Sequence, residues 1–253
     1  MRHFFTILKQ RNNILFWFGW LTALGAIVCL VMMGFDDTRI LGINAWIKPF
    51  KFFISVMLFS WTMGWLLHPL KMPRRIIYYS WMVVIVMAFE LFVITWQAAN
   101  GRLSHFNITT PLYGILFSLM GIAISVLGIW TAVMAWYFFR KKEFTVPMRY
   151  IWGIRLGLII FVIFSFEGGL MAAHLSHTVG APDGSGGLPL VNWSRTHGDL
   201  RIAHFFGMHA LQLLPLASYY LFLTSRQVII AAVVYFIAVS VLLIQALMAM
   251  PLI

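Results

Sequence analysis

The sequence predicts an all-α integral membrane protein with seven transmembrane helices, the N-terminus cytoplasmic and the C-terminus extracytoplasmic. Three observations predict it. Apolar residues make up 62% of the 253 residues and charged residues 10%, and the mean hydropathy is +0.90, whereas soluble domains are roughly one-quarter charged. Seven continuous apolar stretches each approach or exceed the roughly 20 residues that a helix needs to cross the hydrocarbon core. The formal net charge of +11 falls on one side of the alternation that these stretches impose. A soluble fold would turn this much apolar surface into an aggregation patch. A membrane barrel would show alternating segments of about ten residues rather than long apolar runs.

The elements follow in order. The basic segment MRHFFTILKQRNN leads into a first span at about 13–34, too long an apolar run for a signal peptide, and it is read as a retained helix. Further spans fall at about 45–67, 76–98, 112–139, 151–177, 201–224 and 227–249, in a single polytopic domain covering 1–253. The one long polar connection, 178–200, exceeds the roughly 12–15 residues of ordinary loops. It opens with turn residues and then offers Leu188, Leu190, Val191 and Trp193, a pattern that predicts an extracytoplasmic segment folded back as a lid. Asp183-Gly184-Ser185-Gly186 reads as a turn, with too few carboxylates for a calcium loop.

Twelve basic residues (Arg2, Lys9, Arg11, Lys71, Arg74, Arg75, Arg140, Lys141, Lys142, Arg149, Arg155 and Arg226) share one side with a single acid, Glu143. The other side and its adjoining membrane half balance six bases against six acids. The positive-inside rule makes the first side cytoplasmic. The charge therefore reports topology in a multi-pass protein of the plasma or bacterial inner membrane, whose partners are the lipid bilayer and a small-molecule or lipid-like ligand rather than nucleic acid. Trp17, Trp65, Trp81, Trp136 and Trp152 mark the cytoplasmic interface, and Trp46, Trp96 and Trp193 the outer one. The only cysteine, Cys29, lies within an apolar run, so neither an intrachain disulfide nor a multi-thiolate metal site is available.

Ionisable residues inside a membrane are functional candidates by default, because each is costly unless paired or hydrated. Here they share the outer halves of spans two, three, five and six. Lys48, Lys51 and Ser55 run along one face of span two, Glu90 and Gln97 lie seven apart in span three, and Glu167 and His174 repeat that spacing in span five. In span six, Arg201 and Gln212 are nearly in line, with His204 and His209 flanking them in a stripe about 140° wide. Matching depths predicts a deep layer of Glu90, Glu167, His209 and Gln212 and a shallow layer of Lys48, Lys51, Gln97, His174, His177 and His204. His105, His177, His197 and Asp199 would close over the top. Six of the eight histidines thus gather on the outer side.

Three chemistries fit this pattern. In the first, His174, His204 and His209 hold zinc, iron or manganese, and Glu90 and Glu167 are the catalytic carboxylates. Lys48, Lys51, Gln97, Arg201 and Gln212 then bind a lipid-like or anionic substrate. The absence of HExxH and the five-residue separation of His204 from His209 weigh against a single-helix ligand pair. In the second, histidines of spans five and six, His174 with His204, hold haem b, or the site takes a quinone. In the third, Glu90, Glu167 and His209 relay protons in a small-molecule transporter. A structural membrane subunit is the fourth reading. A retinal-binding protein would need a lysine in the last span, and none is present.

Overall fold

A computed structural model describes residues 2–184 and 186–252. Met1, Ser185 of the predicted turn and Ile253 lie outside the described residues. Eight α-helices are present among the described residues: α1 (Arg2–Arg11), α2 (Asn13–Phe35), α3 (Ile47–Leu66), α4 (Pro73–Ala99), α5 (Pro111–Arg140), α6 (Met148–His174), α7 (Leu200–Tyr220) and α8 (Ser225–Leu247). A 3-10 turn, His68–Leu70, follows α3, and two-residue strands pair as β1 (Arg39–Ile40) with β2 (Ile43–Asn44) and β3 (Thr178–Val179) with β4 (Gly198–Asp199).

Six of these helices are long and apolar enough to cross a membrane, so the protein is membrane-embedded and multi-pass. The expected seventh span corresponds to α7, which does not meet that measure. Arg201, His204, His209 and Gln212 lower its hydropathy, so helix length and composition support six crossings. The segment before the first span is not merely a charged leader. It forms α1, which ends at Arg11 because Asn12 adopts extended backbone (φ −156°) and starts a new helix.

The chain divides within α5 into two compact units, Met1–Leu127 and Gly128–Ile253. In the first unit, Asn12 does two jobs. Its Oδ1 accepts from the Leu15 N–H at 3.0 Å, capping α2, and its Nδ2 donates to Ser80 Oγ on α4 at 2.8 Å. Helix packing in lipid depends on close van der Waals fit rather than on expulsion of water. Accordingly α2 presents Gly19 and Gly25 to Trp61 and Phe53 of α3, where a Cβ would overlap the rings. Cys29 is sealed within α2 at 1% exposure. Phe18, Val56 and Leu91 form one core cluster, and Val93, Ile94 and Met120 another. The β1–β2 hairpin closes on Asp36, whose carboxylate accepts from Thr38 N at 2.9 Å and Trp46 Nε1 at 2.8 Å.

In the second unit, α6 packs along α7, with α8 against both. Gly153 lies under Ser218, Gly157 meets the Ala210 carbonyl, and Gly207 lies under Phe164. These contacts make α6 and α7 antiparallel neighbours, with Ile160, Phe164, Ala203, Ala210 and Leu214 forming a core with Ala232 and Val239 of α8. Arg155, though counted among the cytoplasmic charges, is 93% buried by its 7% exposure. Its Nε and Nη2 donate to the Phe138 carbonyl at 3.0 and 2.7 Å, satisfying the open end of α5. Helix α7 continues through Pro215 to Tyr220.

Candidate functional site

Lys48, Lys51, Glu90, Gln97 and His105 belong to the first unit, and Glu167, His174, His177, His197, Asp199, Arg201, His204, His209 and Gln212 to the second.

In the first unit, Lys48 and Lys51 are half-buried near the start of α3. Glu90 on α4 is buried at 5% exposure, close enough to Lys48 to interact with its charge. Its Oε1 has no hydrogen-bond partner, nor has Oε1 of the buried Gln97. His105 contacts Ser104 Oγ at 3.1 Å, and its ring packs against Phe52 at 5.7 Å and Phe117 at 6.3 Å.

In the second unit the antiparallel register of α6 and α7 brings Glu167 to His204. Nδ1 of His204 lies 3.1 Å from Glu167 Oε2, the carboxylate being 6% exposed and the imidazole half-buried. Oε1 of Glu167 has no partner. Depth matching pairs Glu167 with His209 and Gln212, one layer below His204. The structure sets Glu167 against His204 instead, because the glycine contacts fix which face of α7 meets α6. His209 lies on another flank. Its Nδ1 donates to the Phe205 carbonyl at 2.7 Å, and its ring packs on that of Phe205 at 4.1 Å. His174 is exposed at the end of α6, where Leu175 (φ 49°) turns the chain away. Gln212 is half-buried further along α7.

The expected metal centre gains no support from this arrangement. Among the described residues, no three of His, Cys, Asp or Glu gather as a group able to hold an ion. A cluster of histidines is likewise not found there.

The long loop is held by two acidic clasps. Asp183 accepts from His177 N (3.0 Å to Oδ2), Thr178 N (2.9 Å) and Ser176 Oγ (2.9 Å), and its Oδ2 lies 2.7 Å from His177 Nδ1. Burial raises the pKa of this carboxyl, but the bonds and charge of His177 and the bonds from Thr178 outweigh that and hold it well below the ordinary carboxylate range. Asp199 caps α7 by accepting from Arg201 N at 3.1 Å. It also takes Arg201 Nε at 2.9 Å and Nη2 at 2.5 Å, while Ser194 N donates to it at 2.8 Å and Arg201 Nη2 reaches the Asn192 carbonyl. Arg201 thus spends its guanidinium on the loop. His197 stays near Thr196 Oγ1 at 2.9 Å. A small cavity beside Asp199 is lined by Ile202, Leu242, Gln245 and Ala246.

Asp183 is the residue that sequence pattern undervalues, because a lone acid in a Gly-rich run looks like a turn residue. The available signal is the Ser-His-Thr run 176–178 shortly before it, three residues rich in donors for one carboxylate. Trp193 packs against Phe205 and Phe206, at 5.6 and 6.2 Å, next to His204 in the sequence. Compared with protein-family models, with curated proteins and with solved structures, the chain matches none.

Proposed function

We propose that the chain is a seven-span membrane protein, N-terminus cytoplasmic and C-terminus extracytoplasmic, that binds a small lipid-soluble molecule carrying a hydrogen-bond donor at Glu167 and His204. The observation that carries this reading is Glu167 itself: a buried carboxylate with one oxygen on an imidazole and the other without a partner. An acceptor left unsatisfied in an apolar interior is costly, and a ligand O–H or N–H relieves that cost. Hydroquinones belong to this ligand class, offering a hydroxyl to Glu167 Oε1. The loop 178–200, clasped through Asp183 and Asp199, is the cover of the site.

A seventh crossing by α7 is supported by its packing. From the Gly153–Ser218 contact to the Glu167–His204 contact, α7 follows α6 over 14 residues of α6, about 21 Å at 1.5 Å per residue. A helix that accompanies a spanning neighbour this far shares its crossing. The one-sided charge then orients the ends.

The test adds a short-chain hydroquinone to the purified protein and follows its tryptophan fluorescence, with Trp193→Phe identifying the share that comes from Trp193. Wild type is expected to give a saturable change. Glu167→Gln and His204→Ala are each expected to weaken binding about ten- to hundredfold, the equivalent of one or two lost buried hydrogen bonds. No saturable change, or equal affinity in the variants, refutes the reading. A proton-coupled carrier is the second reading, favoured by Glu90, a second buried carboxylate with a partnerless oxygen. Proton uptake by proteoliposomes that tracks Glu90→Gln more than Glu167→Gln would favour it.

A further inference from the structure

One end of the first unit gathers an unusual amount of positive charge. Helix α1 lies across that end, where α3 finishes and α4 begins, and three contacts hold it there. Leu8 is fully buried beside Gly64, the Arg11 guanidinium lies 3.9 Å over the Trp65 ring, and Asn12 bonds to Ser80. Phe4 stacks on Trp65 at 5.0 Å and Phe5 packs edge-on to Trp61 at 5.1 Å, so the aromatic side of α1 faces the helices. Lys9 is exposed, its ammonium 5.1 Å from the Trp17 ring. Lys71, Arg74 and Arg75 are exposed where α3 hands over to α4. The sequence has no acidic residue before Asp36 and none between Asp37 and Glu90.

We propose that this end of the first unit is a binding surface for acidic phospholipid headgroups, with α1 as an interfacial helix and Lys9, Lys71, Arg74 and Arg75 as the phosphate contacts. Helix α1 turns Phe4 and Phe5 to the neighbouring helix and leaves Lys9 exposed, so what it offers to the headgroups is a basic side chain rather than an apolar face. Trp17 and Trp65 stand at the ends of apolar spans, where indole rings mark the boundary between hydrocarbon and water. The charges beside them therefore sit at headgroup depth, where the phosphates of the bilayer are concentrated. That position favours a lipid over a dissolved phosphate. Juxtamembrane basic clusters of this size attract anionic lipids, and their lysines and arginines act together.

The experiment uses the full chain in neutral detergent, titrated with short-chain phosphatidylglycerol or phosphatidylcholine, with bound lipid counted by native mass spectrometry. Phosphatidylglycerol is expected to bind at about tenfold lower concentration, and added salt to erode the difference. The Lys71→Gln, Arg74→Gln, Arg75→Gln triple variant and the single variant Lys9→Gln should lose all or part of that preference with helical content retained in circular dichroism, since all four side chains are exposed. A Lys141→Gln, Lys142→Gln variant in the second unit should keep it. Preference retained by the triple variant, or lost equally in the second-unit variant, overturns the assignment. Competition by glycerol phosphate as strong as by the lipid would make this a site for free phosphate instead.

Discussion

His204 Nδ1 and Glu167 Oε2 meet at 3.1 Å on two helices whose register is fixed elsewhere, by Gly207 under Phe164 and Gly153 under Ser218. The polar contact and the glycine contacts belong to one antiparallel sequence of steps along α6 and α7. Disturbing one should displace the other.

A Gly207→Val substitution tests this dependence. The added methyl groups would overlap the buried Phe164 ring, and overpacking of this kind costs about 1–3 kcal/mol. Chemical unfolding in detergent should show that loss, and Phe164→Leu in the same chain should recover part of it. Unchanged stability would mean that α6 and α7 do not approach this closely.

The ion pair of the long loop should respond asymmetrically. Asp199's side chain is wholly buried, whereas Arg201's is 24% exposed and within reach of water. Arg201→Gln strands a buried anion, so it should destabilise by about 3 kcal/mol or more, while Asp199→Asn leaves a cation that can be rehydrated and should cost less. Thermal melting together with protease sensitivity across 178–200 distinguishes the two. Equal losses would argue against the pairing as described.

Acid should release the other clasp. Because the folded pKa of Asp183 lies below its unfolded value, its contribution is present in full above the usual carboxylate pKa of about 4 and is lost as the pH falls through the folded value. Protection of the amides of His177 and Thr178, taken relative to their intrinsic exchange rates at each pH, should hold down to about pH 4 and fall in stronger acid. Asp183→Asn should weaken that protection at neutral pH, where the wild-type carboxylate is charged. Protection that is equally strong in the variant would show that the carboxylate does not hold these amides.

Asn12 offers a separation of two roles. Asn12→Asp keeps the cap of α2 but removes the donor to Ser80, whereas Asn12→Ala removes both. The alanine variant should lose about 1–3 kcal/mol, and the aspartate variant an intermediate amount, measured by reversible unfolding in detergent. In combination with Ser80→Ala the aspartate variant should show little further loss.

Hydrocarbon accounts for how much of the fold is legible. An apolar helix that must cross it announces itself by composition, and Asn13–Phe35 and Ser225–Leu247 are nearly featureless runs that need no partner to be recognised. Helix α7 is harder to place by that measure, since its polar stripe lowers its hydropathy and its packing is needed to argue that it crosses. Helix α1 is missed because a basic segment beside a span looks like a leader until Asn12 is seen to cap one helix and end another.

The site is less legible for a related reason. Periodicity within α7 puts His204 and His209 on different flanks, but which flank meets Glu167 depends on Gly153, Gly157 and Gly207, and these mark close approach without naming the partner. His174 illustrates the complement, because a left-handed Leu175 ends α6 and leaves the imidazole exposed. Likewise the donor-rich run 176–178 before Asp183 hints at a clasp but does not say that one carboxylate gathers the amides of both His177 and Thr178. The closure is a property of the folded loop.

The seal around Cys29 has a practical consequence. A chain whose one thiol is shut within α2 starts as a nearly silent background for maleimide chemistry. A cysteine introduced in the 141–147 segment, in the 178–200 loop or after Leu247 would label alone, and an impermeant reagent applied to intact cells would read out the sidedness of each position one residue at a time.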